Sequence, residues 1–364
     1  MTNILDTIDN GYPTFDKIFV EKNALESPHT KRILKRLNKK PDMIVDKSIE
    51  LIRELPPVYH PADRSRSLFI GELKGEIVQK CPGSHGHICC NYSVINLYLG
   101  CPINCTYCIL QAYLNQPFTI INTNIDYIFN CLDSFIEANK GNSIRIGTGE
   151  LGDSLVYDHL TDYSLLFVDY FNSKQNAVFE FKTKTNNINN LLKIKSNGNI
   201  VVGFSVNPQS IIDKEEKYAV SLKDRIDSME KLINNNYSIA LHFDPMFNID
   251  NFKDAYKTVI DAIFSRISPK NISWISLGTF RYNPELKNSI QYNYPETDIT
   301  NDEFIKCYDN KFRYFKPIRS KIYKFVYDYL KSYSKNLKIY LCMESADVWK
   351  KTADSKEFDR YLFS

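Results

Sequence analysis

The sequence predicts an α/β protein built on a parallel sheet, and three observations carry that expectation. Apolar, often β-branched runs recur at 143–147, 177–183, 200–205, 238–243, 272–277 and 338–342. Amphipathic segments alternate with them near 126–138, 160–171, 188–194, 222–234 and 252–267, with a further helix at 319–333. Residues able to do chemistry follow the strand ends: Gly147 to Glu150, Lys184, Asn207, Asp244-Pro245 and Cys342 to Glu344. Strands spaced by single helices form parallel βα units, and burial on both faces explains the near-continuous apolar runs. Six or seven such units make a partial or closed α/β barrel, whose function collects on loops at the C-terminal ends of the strands.

The chain, at 364 residues, is long enough to bury a large core. Its 43% apolar and 24% charged residues are ordinary globular usage. A formal charge of +3 is compatible with a nucleic-acid partner without pointing to one. No apolar run approaches the ~20 residues of a membrane span, and the N-terminus has no signal-peptide pattern. The expectation is a cytoplasmic protein. Its nine cysteines then read as metal ligands, catalytic thiols or small core residues rather than a disulfide framework.

Taken in order, residues 1–75 are expected to form an N-terminal appendage, 76–350 the barrel and 351–364 a C-terminal tail. Within the appendage, 30–40 predicts a helix with Ile33, Leu34 and Leu37 on one face and cations on the other. That helix either contacts phosphates or presents a solvated surface. Pro56, Pro57 and Pro61 mark a connector. The segment 81–90 gathers Cys81, His85, His87, Cys89 and Cys90, but lacks the paired two-residue gaps of structural zinc sites. The other reading is a turn-rich loop in which Cys89 and Cys90 pack as small apolar residues.

The densest motif is Cys101-Pro-Ile-Asn-Cys105-Thr-Tyr-Cys108, directly after the apolar run 94–100, which reads as a strand. A 4Fe-4S cluster normally takes four thiolates. Three leave one iron open to another ligand. The Cys-x3-Cys-x2-Cys spacing, with Tyr107 before the last cysteine, resembles the radical S-adenosylmethionine superfamily. The resemblance implies a partial parallel (β/α)6 radical-SAM barrel with N-terminal and C-terminal extensions. It also implies a 4Fe-4S cluster on Cys101, Cys105 and Cys108, with S-adenosylmethionine on the open iron as the source of a 5′-deoxyadenosyl radical. That chemistry belongs to the cofactor, while the protein orients and shields it.

The likeness continues through 105–117, Asn122-Thr-Asn124, Asp153-Ser154, Asp158 to Thr161, Phe181 to Lys184, Gly203 to Asn207 and Asp244-Pro245. These stretches resemble the spore photoproduct lyase family, which reverses a methylene-bridged thymine dimer in DNA. The resemblance implies that Lys184 and Ser205, with Asn207 beside them, contact S-adenosylmethionine. An ammonium and a hydroxyl suit a carboxylate and ribose hydroxyls. Tyr107 falls on a tyrosine of the family motif, whereas Ile109 replaces a second one. Glu150 stands where the family carries a hydrogen-donating cysteine, and a carboxylate has no S–H bond to give. Gly149-Glu150 instead resembles the Gly-Glu motif that binds the methionine amino group.

Cys342 is then a candidate hydrogen-atom donor, with Tyr340 on the same side of its strand, or else a core thiol. His242 and Asp244 also share a side, to meet substrate or to sit satisfied in the core. Asp153, Asp158 and His159 are site candidates or helix caps. Arg281-Tyr282, 311–316 and Arg319 interleave cations with aromatics, as a phosphate-tracking and base-stacking surface or as a packing face. The expected function is a radical S-adenosylmethionine lyase-like enzyme on a DNA lesion, reduced by a donor such as flavodoxin or ferredoxin. Modification of RNA, a nucleotide or a peptide, and nucleic-acid binding without turnover, are the alternatives.

Overall fold

The computed structural model describes residues 8–353 apart from 10, 11, 59, 84, 85 and 89. Its main sheet has eight strands that neighbour one another in chain order. They are β1 (Gln79–Lys80), β2 (Tyr92–Val94), β3 (Ile144–Gly147), β4 (Ala177–Thr183), β5 (Ile200–Ser205), β6 (Ser238–Met246), β7 (Ile272–Thr279) and β8 (Ile339–Leu341). Only β1 runs antiparallel to its neighbour; from β2 to β8 every pairing is parallel. All six apolar runs after the cysteine motif are strands of this sheet.

The sheet is curled into a half-barrel. Strands lie about 4.8 Å apart, so five steps of a flat sheet would separate β3 from β8 by about 24 Å. Yet Arg145 on β3 donates to the Tyr340 hydroxyl on β8 at 3.1 Å. Helices Tyr163–Asn172, Leu222–Asn234, Phe252–Phe264 and Lys316–Tyr333 cover the outside. Phe167 and Phe171 stack on Phe179 of β4 at 5.0 and 4.5 Å, so the amphipathic face of that helix is buried against the sheet.

A second sheet runs in the order Met43–Val45, Lys17–Glu21, Ser67–Gly71, Thr119–Asn122, Tyr98–Leu99. The N-terminal segment thus shares a sheet with two strands that follow β2 in the chain. The run 94–100, expected as one strand, is divided between the two sheets: Val94 ends β2, and Tyr98–Leu99 belongs to the second. Asn96 sits at the break. Its carbonyl accepts from the Asn122 side chain at 3.0 Å, and the Leu97 carbonyl accepts from the Asn122 amide at 3.0 Å.

Two expected helices differ from the pattern. The segment 160–171 breaks at Asp162, which is left-handed at φ 55°. The segment 188–194 shrinks to a single 3-10 turn, Leu191–Lys193. Asn187, just before the segment, donates to the Leu155 carbonyl at 2.8 Å, and Asn190 within it donates to the Asp158 carbonyl at 3.1 Å, so this stretch is tied to the 155–158 segment. The basic helix is Pro28–Leu37, capped by Ser27 and ended by a left-handed Asn38. At the C-terminus, Ala346–Thr352 is helical, and 354–364 lie outside the described residues. No helix among the described residues is long and apolar enough to cross a membrane.

Candidate active site

The cysteine loop lies where the two sheets meet. Gly100 donates to the Leu151 carbonyl at 2.8 Å, and Cys108 closes a turn on the Cys105 carbonyl at 3.0 Å. Cys101, Cys105 and Cys108 open on one pocket, together with Arg64, Asn104 and Gln111. Arg64 does not compete for the thiols: its guanidinium is held by the carbonyls of Gln116, Leu110 and Leu114. The far side of the loop is stitched to the segment 215–218. Thr106 donates to the Glu215 carbonyl at 2.9 Å, Tyr218 donates to the Ile103 carbonyl at 3.1 Å, and Cys105 bridges Glu216.

These residues fit an iron–sulfur cluster. Burial pushes all three thiols above their ordinary pKa, so thiolates here need a metal's positive charge. Three sulfurs on one pocket suit separate irons of one cluster. Among the described residues no group of three His, Cys, Asp or Glu surrounds a single ion. His85 and Cys89 of the 81–90 motif lie outside the described residues.

Beside the loop, the ends of β4 and β5 carry Lys184, Ser205 and Asn207; Lys184 and Asn207 meet at Glu216, and the Ser205 carbonyl is held by Arg225. The fully buried Glu216 carboxylate accepts from Tyr107 Oη, from Arg225 Nη2 at 2.6 Å and from Asn207 Nδ2 at 3.4 Å, and lies 3.6 Å from Lys184 Nζ. Burial opposes its ionisation, but Lys184 and Arg225 outweigh burial and hold its pKa down at about 2. Arg225 also donates to the carbonyls of Ser205 at 2.7 Å and Val220 at 3.0 Å. The Tyr107 ring packs on Phe247 at 5.2 Å. Its hydroxyl therefore serves this network rather than the cysteine pocket.

The loop after β3 is pinned by Asp153, whose carboxylate accepts from the amides of Leu155, Val156 and Lys184 and from Thr183 Oγ1. Asp153 is thus a tie between β3 and β4. Gly149 has φ 94°, and a Cβ there would sit 2.8 Å from Lys182 Cβ and 2.9 Å from Ser154 Oγ. Glu150, half-buried, accepts from Asn96 at 3.3 Å. Burial raises its pKa against the pull of Asn96 and Lys182.

Inside the half-barrel, Glu180 accepts from Arg145 at 2.7 Å and from Trp274 Nε1 at 3.2 Å, and lies 2.7 Å from His242 Nε2. Gly203 leaves the room for this, since a Cβ there would stand 2.6 Å from Glu180 Oε1. Burial resists the Glu180 charge, yet Arg145, followed by His242 and Lys182, holds the carboxyl well below its usual range. Burial lowers the His242 pKa more than Glu180 raises it. The neutral ring then donates its Nε2 proton. Just beyond β8, the half-buried Cys342 has its sulfur 3.6 Å from Nη2 of Arg281, whose guanidinium also pairs with Asp244. Burial, reinforced by Asp244, pushes the Cys342 thiol pKa well up despite Arg281, so it carries its proton at neutral pH.

A family model described as spore photoproduct lyase matches residues 13–352. The chain belongs to the spore photoproduct lyase family. The spore photoproduct lyase of Clostridium acetobutylicum is 25% identical over 316 residues, 84% of this chain and 91% of that protein. That of Bacillus subtilis is 23% identical over 250 residues, 66% of this chain and 73% of that protein. A solved mutant lyase with bound AdoMet and dinucleoside spore photoproduct has TM-score 0.78 at 18% identity, covering 90% of this chain and 99% of its own. A second mutant with dinucleoside spore photoproduct has TM-score 0.79 at 20% identity with the same coverage. At these identities the structural likeness is one of fold, the radical S-adenosylmethionine half-barrel.

In this member of the spore photoproduct lyase family, several candidates have partners within the protein. Asp158 caps Ser164 through its amide and hydroxyl at 2.8 and 2.6 Å. His159 lies 3.4 Å from Asn187 Nδ2. On the basic helix, Arg36 pairs with Asp162 at 2.7 Å and Arg32 donates to the Thr161 carbonyl at 2.9 Å. Arg281, Arg313 and Arg319 are matched by Asp244, Asp309 and Glu344, and Tyr282 and Tyr314 are buried. The expected cation–aromatic surface is to that extent a packing face. Glu216, Arg225, Glu180 and Arg145 went unnoticed in the sequence. Glu215-Glu216 at a helix end reads as ordinary solvated surface, and only the charged residues inside apolar runs, Arg145 and Glu180, left a signal.

Proposed function

We propose that the chain is a radical S-adenosylmethionine lyase that repairs spore photoproduct, or a closely related thymine lesion, in DNA. One observation supports it above others: three cysteines share one pocket, and their loop is hydrogen-bonded to the segment whose Glu216 meets Lys184. Family membership and the ligands named for the solved relatives point the same way. In this reading Cys101, Cys105 and Cys108 hold a 4Fe-4S cluster. Gly149 and Glu150 receive the methionine amino group, Lys184 the carboxylate, and Ser205 and Asn207 the remaining polar groups of S-adenosylmethionine. Tyr107 closes the wall behind them. When bound, cluster and S-adenosylmethionine supply the 5′-deoxyadenosyl radical that takes a hydrogen atom from the lesion.

Cys342 is the residue proposed to return a hydrogen atom. Its thiol is protonated, its S–H bond is weak, and it follows β8 at the end of the sheet where the site residues gather. Donation moves one hydrogen atom from Sγ to the substrate carbon radical and leaves a thiyl radical. Tyr340, two residues earlier and bonded to Arg145, would hold that strand end in place. A flavodoxin or ferredoxin is the proposed reductant. The test is anaerobic incubation of the reconstituted protein with oligonucleotides carrying spore photoproduct or a cyclobutane thymine dimer, following lesion loss and 5′-deoxyadenosine together. Spore photoproduct loss with matching 5′-deoxyadenosine is expected. Release of 5′-deoxyadenosine with every lesion intact would move the substrate to RNA, a nucleotide or a peptide. Neither product from a reduced, fully loaded protein would leave a binding role.

A further inference from the structure

We propose that Glu216 is a positioning residue for S-adenosylmethionine, joining the cysteine loop to the cofactor-contacting strand ends through one buried carboxylate. This rests on the reading of Lys184, Ser205 and Asn207 given above. Glu216 touches each part from a different direction. Its side chain is fully buried and meets Tyr107 from the cysteine loop, Asn207 from beyond β5 and Lys184 from beyond β4. Its backbone bridges Cys105. Arg225 completes the frame: with its side chain fully buried, it binds Glu216 and the carbonyls of Ser205 and Val220, and the Val220 amide donates to the Lys184 carbonyl at 3.2 Å.

The distances assign different work to the two cations. Arg225 at 2.6 Å is in full hydrogen-bond contact with the carboxylate and neutralises it. Lys184 at 3.6 Å is attracted without being fully claimed. An ammonium has three donor directions, so Lys184 is aimed by Glu216 while keeping protons for a second anion. Without the carboxylate, the flexible four-carbon stem of Lys184 has no fixed direction, and a ligand carboxylate must then order it on binding. Asn207 loses an acceptor at the same moment.

The full-length protein, reconstituted anaerobically, is compared with Glu216→Gln and Glu216→Asp. Iron content, far-UV circular dichroism and S-adenosylmethionine titration followed by the electron paramagnetic resonance of the reduced cluster are measured. Glutamine keeps the shape but not the charge, whereas aspartate keeps the charge for Arg225 but withdraws it by one methylene. Both variants should retain iron and fold, with the dissociation constant raised about tenfold or more in Glu216→Gln and less in Glu216→Asp. The ligand-induced spectral change should shift to correspondingly higher concentration. Wild-type affinity in a loaded Glu216→Gln protein overturns the proposal. If Glu216→Gln loses iron, Glu216→Asp decides: weakened affinity with full iron supports the role, and unchanged affinity overturns it. A wild-type protein that binds no S-adenosylmethionine overturns the underlying cofactor reading as well, whereas wild-type binding with unchanged variants overturns this inference alone.

Discussion

Arg145 and Tyr340, 195 positions apart in the chain, meet at 3.1 Å between guanidinium and phenol and so tie the third strand to the eighth. Arg145 is almost fully buried, pairs with Glu180 at 2.7 Å and lies over the rings of Trp274 at 4.0 Å and Tyr92 at 4.6 Å. The curl of the sheet and the charge at its centre are therefore one feature. Removing one partner of a buried ion pair typically costs about 3–5 kcal/mol. Arg145→Met should lower the unfolding free energy by that order, read as a lower urea midpoint. Arg145→Met combined with Glu180→Gln should be less destabilising than the two changes summed, in a double-mutant cycle.

Cys105→Ala should leave the reconstituted protein short of iron and unable to release 5′-deoxyadenosine. Iron analysis and chromatography of the nucleoside products check this. Retained cleavage would remove Cys105 from the cluster ligands.

Gly149→Ala puts a Cβ against Lys182 and Ser154 at a backbone angle that L-residues rarely adopt. The strain is of order 1–3 kcal/mol and should lower the melting temperature. Because it displaces Glu150, it should also weaken S-adenosylmethionine binding several-fold in an equilibrium titration. Unchanged affinity at a lowered melting temperature would confine Gly149 to a structural role.

Cys342→Ala should leave 5′-deoxyadenosine release in place but cut repaired thymine at least tenfold. A thiol exchanges its proton with solvent, so wild-type turnover in deuterium oxide should place deuterium in the product and the variant should not. Mass spectrometry of the thymine product reads both. An undiminished yield of deuterated product from the variant would exclude Cys342 as the donor.

Burial, reinforced by Arg36, lowers the His159 pKa from 6.5 to about 4. Between these values the unfolded chain binds a proton that the folded state refuses, so stability falls as pH drops from 6.5 towards 4 and is unaffected above 6.5. The shift corresponds to about 3 kcal/mol at most. His159→Gln should flatten this part of the stability profile in urea titrations at pH 4.5 and 7. An identical slope in both proteins would show that His159 contributes nothing to it.

The strands and their order were legible because two-sided burial writes a continuous apolar run into each of them, and β4 and β5 begin and end where those runs do. Helix Leu222–Asn234 was equally legible from its amphipathic period, and the structure caps it with Ser221. Where contacts from distant parts of the chain decided, the pattern misled: the Asn122 side chain takes the Asn96 carbonyl within 94–100, and Asn190 within 188–194 is tied to Asp158. The cysteine loop was readable because its three thiols sit within eight residues.

From the sequence alone came the parallel βα order and the cysteine loop, since periodicity and short spacing are local properties of a chain, and the family through the resemblance of its motifs. Only the tertiary structure decided which charges meet. Tyr107 and Glu216 are 109 positions apart, and Arg145 and Glu180 are 35 apart on neighbouring strands. Nothing in the local spacing of such residues marks a partner, because their pairing arises when the curled sheet removes them together from water and leaves each charge dependent on the other.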